Sequence, residues 1–226
     1  VKVTIRLLLI VLMSVIMVVG CSSKSEKKDK DSYNVSRFDN WITYDVPGVL
    51  SFQAPQTMEL KTGSYKVLTD AMKERSGITV NSDDMVLQQK GLNDKNPEAF
   101  KKYCRILVNT ERSAKGTYLG LWDDYIPSEA ELSEFESEMM RGLAGAQGIS
   151  ILNTYPPEVV SINGIDMVKF SYRRTGVYKQ PVFVTTYLVQ NNSMMHNIAV
   201  SYRESEMHLW KDDLDKVIYT FKFIEN

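Results

Sequence analysis

The chain is poor in the residues that metal centres and covalent scaffolds need. Its 226 residues hold two cysteines and two histidines. A disulfide framework, or a zinc site of three or four protein ligands, is hard to build from so few thiols and imidazoles. Positive charge is not in excess, with 27 Lys and Arg against 28 Asp and Glu. Nucleic-acid binding relies on clustered cations that neutralise phosphates, so no nucleic-acid partner is expected. There is no Walker loop, no Gly-x-Ser-x-Gly elbow, no His-Glu-x-x-His pair and no dinucleotide fingerprint. Gly142-Leu143-Ala144-Gly145 falls late in a predicted helix, whereas phosphates are held at helix N-termini. No catalytic residue, cofactor or metal ligand is assigned on this basis, and the expectation is a protein that is not an enzyme.

A long apolar run is also missing. Leu7 to Val19 is broken only by Ser14 and falls short of the ~20 apolar residues that a spanning helix needs. Lys2 and Arg6 precede it, and a positive start before a short apolar centre marks a secretory signal. The run ends in Val18-Val19-Gly20-Cys21. That ending resembles the lipobox of bacterial lipoproteins: a branched apolar residue, a small or apolar one, a small one, then cysteine. The resemblance implies a signal peptide over residues 1–20, cleavage before Cys21, and lipidation of Cys21 by a diacylglyceryl thioether and an N-acyl chain. Each buried methylene contributes about 0.8 kcal/mol and a single chain binds only marginally, so two or three chains make attachment permanent. The alternative is a signal-anchor helix with Cys21 incidental. The polar Ser22-Ser23 that follows at once speaks against it.

Removing residues 1–20 takes away Lys2 and Arg6 and no acid, so 25 cations remain against 28 anions, a net charge of −3. Residues 21–40 read as the lipidated cysteine and a flexible polar tether. Ser22 to Asn34 mixes charges without periodicity, and such a stretch cannot bury enough apolar area to offset its conformational entropy. One reading is a plain spacer. The other is an export address, because Lys27-Lys28-Asp29-Lys30-Asp31 resembles the charged patch that sends some Gram-negative lipoproteins to the outer cell surface. Ser22 after the cysteine, rather than Asp, points to the outer membrane if the cell has two membranes. The expected location is the cell envelope, with the membrane as one partner through the lipid.

Residues 41–226 read as a single globular domain, long enough for a sizeable core. Trp41 to Val46 alternates, Pro47-Gly48 marks a turn, and Val49 to Ala54 reads as a second strand ended by Pro55. Met85 to Gln89 is a plausible strand, and the earlier Ser64 to Arg75 is ambiguous between helix and loop. In Tyr103 to Thr110, Cys104, Ile106 and Val108 share one face and Tyr103, Arg105, Leu107 and Asn109 the other. The spacing predicts a helix over 128–146: Ser128 and Glu131 form a capping box, and Leu132, Phe135, Met139, Leu143 and Ala146 make its stripe. Strands follow at Glu158 to Ile162 and Ile165 to Arg174 around Asn163-Gly164, a strong hairpin signal. Val182 to Val189 and Met194 to Tyr202 are two more. A second amphipathic helix is predicted over 205–220, with Met207, Trp210, Leu214, Val217 and Phe221 in its stripe and an Asp212–Lys216 pair.

This pattern implies an α+β fold, an antiparallel sheet packed by two amphipathic helices. The order of elements resembles the α/β/α sandwich of PsbP-like proteins. Three stretches carry the resemblance: Asp45-Val46-Pro47-Gly48-Val49-Leu50-Ser51-Phe52-Gln53-Ala54-Pro55, the Ile162-Asn163-Gly164 turn, and Trp210 through Val217-Ile218-Tyr219-Thr220-Phe221-Lys222-Phe223. It implies a non-catalytic adaptor or binding domain and carries over no site residue.

Candidate chemistry is thin. Cys104 with His196 or His208 would suit a thiol nucleophile and its base, but Cys104 shares a face with Ile106 and Val108 and reads as a buried small hydrophobe. His208 and Asp212 share a helix face without an evident third ligand, and His196 alternates with Ile198, Val200 and Tyr202 as core. Tyr103/Arg105, Tyr172/Arg173/Arg174 and Tyr202/Arg203 combine residue types enriched at interfaces. If their strands are neighbours they offer a patch for an acidic partner; otherwise they pair with local acids. Met139-Met140 and Met194-Met195 read as core filler. The first functional expectation is an accessory, protein-binding lipoprotein with an envelope protein partner. The second is a carrier for a small ligand, a lipid or glycan fragment.

Overall fold

The structure is a computed structural model and describes residues 38, 40–63, 66, 85–123, 125–144, 150–175 and 179–225. The signal segment, Cys21, the tether and nearly all of the ambiguous 64–75 stretch lie outside the described residues. Among the described residues no helix is long and apolar enough to cross a membrane.

Alternating side chains and tight turns produce antiparallel pairing throughout. The strands are β1 Trp41–Val46, β2 Leu50–Pro55, β3 Met58–Leu60, β4 Met85–Gln89, β5 Cys104–Arg112, β6 Ile151–Ile162, β7 Ile165–Thr175, β8 Pro181–Asn191, β9 Met194–Arg203 and β10 Lys222–Phe223. The helices are α1 Pro97–Phe100, α2 Glu129–Ala144 and α3 Met207–Val217. One sheet runs β3-β4-β5-β9-β8-β7-β6, and a smaller one runs β1-β2-β10. At the β6–β7 turn Asn163 has φ 54° and Gly164 φ 81°. Two positive φ values in a two-residue loop match the right-handed twist of the strands it joins.

The two faces of the large sheet carry separate apolar layers. Cys104, Ile106 and Val108 of β5 stand opposite Tyr202, Val200 and Ile198 of β9. This face packs against Leu50 and Phe52 of the small sheet and Trp210, Leu214 and Val217 of α3. Phe52 and Phe221 stack within it, 4.5 Å between centroids and 4° between planes. On the other face Leu107, Ala199, Val184, Phe170 and Tyr172 receive Phe135, Met139 and Leu143 of α2. Each such α2 side chain contributes about 1.5–3 kcal/mol by leaving water. The result is three layers: α2, the large sheet, then α3 with the small sheet. The fold is α+β with antiparallel sheets and few helices, as expected, although the strands divide between two sheets.

Three short elements, β3, α1 and β10, were not expected. β6 begins at Ile151 rather than Glu158, running through Pro156-Pro157 with register shifts between Ile151/Asn153 and Tyr155/Glu158. It lies at the end of the sheet order, where a missing proline N–H breaks no inner ladder. The 205–220 helix is shorter than predicted, because 3-10 turns at Glu204–Glu206 and Ile218–Thr220 flank α3. The ion pair along it is Lys211–Asp215, not Asp212–Lys216.

Candidate functional site

Between β5 and α2 the chain makes a connection whose tip is apolar and exposed. Trp122 is 59% exposed, Tyr125 43% and Ile126 73%. These side chains are held out, not left loose. Leu121 is buried in the layer below α3 and anchors the base. Asn192 N–H donates to Leu119 O at 2.7 Å, and Tyr118 N–H donates to Asn192 O at 2.9 Å. Gln190 Oε1 accepts from Leu119 N–H at 2.9 Å, and Asp123 Oδ2 accepts from Gly120 N–H at 2.7 Å. Trp122 Nε1–H donates to Glu225, and its ring edge lies over Gly164, where an added Cβ would meet it at 3.5 Å.

The α2 capping box holds the other side of the tip. Glu131 Oε2 accepts from Ser128 N–H at 2.9 Å and from Ser128 Oγ–H at 2.7 Å. Glu131 Oε1 accepts from the Tyr125 hydroxyl. The Tyr125 and Ser128 donors hold the Glu131 carboxyl down to about 2. A Trp, a Tyr and an Ile presented on a tied loop match the anchors that dominate protein interfaces, and pre-ordering lowers the entropy lost on docking. Sequence periodicity gives no sign of this site. The usable signal was Trp122, Tyr125 and Ile126 between Gly120 and Pro127, aromatic residues where a turn is normally polar.

Of the candidates named from sequence, Cys21 lies outside the described residues. Cys104 is fully buried on the Ile106/Val108 face, and burial pushes its thiol pKa up. Cys104 pairs with Tyr202, whereas His196 pairs with Thr110 six residues along the ladder. At about 3.4 Å per residue the thiol and imidazole are roughly 20 Å apart. His196 is buried against Phe223, with ring centroids 5.0 Å apart. Its Nδ1 lies 3.1 Å from Thr110 Oγ1, and burial, then the Arg112 charge, lowers its pKa to about 4. His208 and Asp212 are exposed on α3. Among the described residues no group of three His, Cys, Asp or Glu side chains is placed to hold a metal. Met139 and Met194 and Met195 are buried, and Met140 packs beside them, as core filler.

The Tyr/Arg patch is corrected in kind. The strands are neighbours, and Tyr103, Arg105, Tyr172 and Arg174 do share the α2 face, but Tyr103, Tyr172, Arg174 and Tyr202 are buried. Arg173 pairs with Glu204 at 3.4 Å and Arg203 with Glu206 at 2.7 Å, so these two follow the local-acid reading. Glu206 also accepts from Tyr103 N–H at 2.7 Å and Trp210 Nε1–H at 3.2 Å. Arg105 donates to Gln88 Oε1 at 2.5 Å and sits over the Tyr103 ring, 5.6 Å from its centroid. The Tyr103 hydroxyl is 3.4 Å from Ser201 Oγ.

These features define an α+β protein with a three-layer antiparallel core and an exposed aromatic loop. No protein-family model and no curated protein matches the chain. Solved structures are similar over most of its length. The solution structure of cyanobacterial PsbP (CyanoP) from Synechocystis has 12% identity and a TM-score of 0.48, covering 86% of this chain and 98% of that one. LpqN of Mycobacterium tuberculosis, described as involved in cell envelope biogenesis, has 9% identity and a TM-score of 0.46, covering 84% and 97%. A Bacteroides thetaiotaomicron protein has 11% identity and a TM-score of 0.44; 81% of this chain spans 48% of it. At these values the likenesses carry nothing about what this chain does.

Proposed function

We propose that this chain is a lipid-anchored envelope protein whose folded part is a non-catalytic module that binds an envelope protein partner. The observation that carries the reading is the loop bearing Trp122, Tyr125 and Ile126, exposed yet fastened at both ends. The lipobox ending at Cys21 supplies the location, with the outer membrane as the destination in a cell with two membranes. Acidic Asp123, Glu129 and Glu131 around the loop disfavour an anionic lipid surface as its target and favour a protein face carrying an apolar pocket.

The second reading, a carrier for a lipid or glycan fragment, needs a lined cavity between helix and sheet. Side chains that would wall it pack on each other instead: Phe135 meets Phe170 edge-on at 6.0 Å, and Leu143 joins the same cluster. The test is a photoreactive side chain placed at position 126 of the anchored protein in cells, with position 98 on α1 as the control. The reading expects one adduct from position 126 and none from position 98. Equal or absent adducts at both positions would remove it.

A further inference from the structure

The two ends of the large sheet carry unlike charge. β5 runs from Cys104 to Arg112, which sets its ends roughly 27 Å apart at the usual rise per residue. At the Arg112 end lie the exposed loop and the start of α2. From Trp122 to Met140 the sequence holds seven acids and no Lys, Arg or His. At the Cys104 end the connection from β4 to β5 holds Lys90, Lys95, Lys101 and Lys102 against Asp94 and Glu98. All four lysines are exposed. Among the described residues Lys101 pairs with Glu98 at 2.5 Å, and Lys90, Lys95 and Lys102 join no ion pair. Taken over 61–103, eight cations stand against six acids, so the preceding segment does not cancel the excess.

An apolar group stands among these lysines, on a fastened backbone. Phe100 is 48% exposed directly before Lys101 and Lys102. Gln89 Nε2–H donates to Ala99 O at 3.0 Å and to Lys102 O at 2.5 Å, and Arg203 Nη1–H donates to Lys101 O at 2.6 Å. This is also the end at which the chain from Cys21 enters the fold. Trp41 pairs with Pro55, and two residues on, Thr57 O accepts from Lys90 N–H at 2.9 Å. A lipid at Cys21 is only twenty residues from Trp41, so contact between this end and the leaflet is an intramolecular event at high effective concentration.

An anionic leaflet favours each nearby Lys by about fivefold, and its field fades within a Debye length of ~8–10 Å. With the lysines against the leaflet, the acids of the loop stand beyond that field. With the loop against it, Asp123, Glu129 and Glu131 enter the field and are repelled. Lysine stems and an aromatic ring suit the boundary between headgroups and acyl chains.

We propose that residues 90–102 form a second membrane contact, in which an anionic lipid surface takes Lys90, Lys95 and Lys102 at its headgroups and Phe100 at its interface. The anchored domain then stands with Trp122, Tyr125 and Ile126 turned away from the leaflet. The inference rests on the lipid-anchor reading of Cys21 and adds which end of the domain faces the lipid.

The test uses the lipid-bearing protein reconstituted in vesicles of phosphatidylcholine, with or without phosphatidylglycerol, that carry a nitroxide quencher at headgroup level. A fluorophore is placed by Phe100→Cys or, as the control, by Ile126→Cys. The proposal expects strong quenching at position 100 when phosphatidylglycerol is present, little at position 126, and release of position 100 by high salt. Lys95→Glu/Lys102→Glu should lower the docked-to-undocked ratio by about twenty-five-fold or more at an unchanged melting curve. The salt response needs no charge substitution, so it decides the matter even if the double variant folds poorly. Equal quenching at the two positions, no quenching at position 100, or quenching there that high salt leaves intact would overturn the proposal. Flotation reads the anchor separately. A protein that floats with neutral vesicles but fails these tests sinks this inference alone, whereas one that does not float sinks the anchor and the inference with it.

Discussion

Thr110 and His196 face each other across the β5–β9 ladder, with Thr110 Oγ1 3.1 Å from His196 Nδ1 and both side chains buried. Asn191 closes the far side of the ring, its Nδ2 3.5 Å from Nε2, and donates to Ile224 O at 2.8 Å. The imidazole is thus a neutral bridge tying the large sheet to the C-terminal segment.

Acid should loosen that bridge. The folded pKa of about 4 lies below the ordinary 6.5, so the unfolded state binds the proton more readily between those values. The stability that neutral His196 contributes is present above about pH 6.5 and is lost as pH falls towards 4, by an amount on the order of 3 kcal/mol. Denaturant unfolding of the parent and His196→Gln at pH 7 and pH 4.5 checks this. The parent should lose markedly more stability on acidification than the variant.

Glu206 ties three elements through Tyr103 N–H, Arg203 and Trp210 Nε1–H. Glu206→Gln removes the charge from a nearly buried pair and should cost on the order of 3 kcal/mol. In the melting curve that is a fall in Tm of about 6–12 °C. A change under 2 °C would mean that the network is dispensable.

Cys104 should behave as an apolar side chain. In the Cys21→Ala protein it is the only thiol, and maleimide labelling in native buffer should be slower than in denaturant by roughly a thousandfold or more. Fast native labelling would reopen the thiol-nucleophile reading.

Cys21→Ala also tests the anchor. The variant should leave the membrane fraction and appear in the soluble fraction. Its retention in the membrane would contradict the lipobox reading.

The sheet was legible because alternation reports burial on two faces directly. Cys104, Ile106 and Val108 fell to one layer and Leu107 to the other, as the pattern indicated. Pro156-Pro157 hid the first half of β6, since a proline argues against an inner strand and sequence alone does not say which strand is at the edge. β10 is only two residues long, too short for a period to show. The Tyr/Arg residues were correctly placed by parity, but their burial depends on where α2 lies. The loop of Trp122, Tyr125 and Ile126 has no repeat; its meaning comes from Leu121, Glu225 and Glu131 holding it out.

The most direct test of the account is quantitative in-cell crosslinking of the anchored parent beside Ile126→Ser. Position 126 is exposed, so the substitution should move stability by no more than about 0.5 kcal/mol, and equal melting curves would confirm that the fold is intact. The account predicts one stoichiometric envelope partner with the parent and at least a tenfold weaker adduct with Ile126→Ser. An adduct of equal yield from both proteins would contradict it.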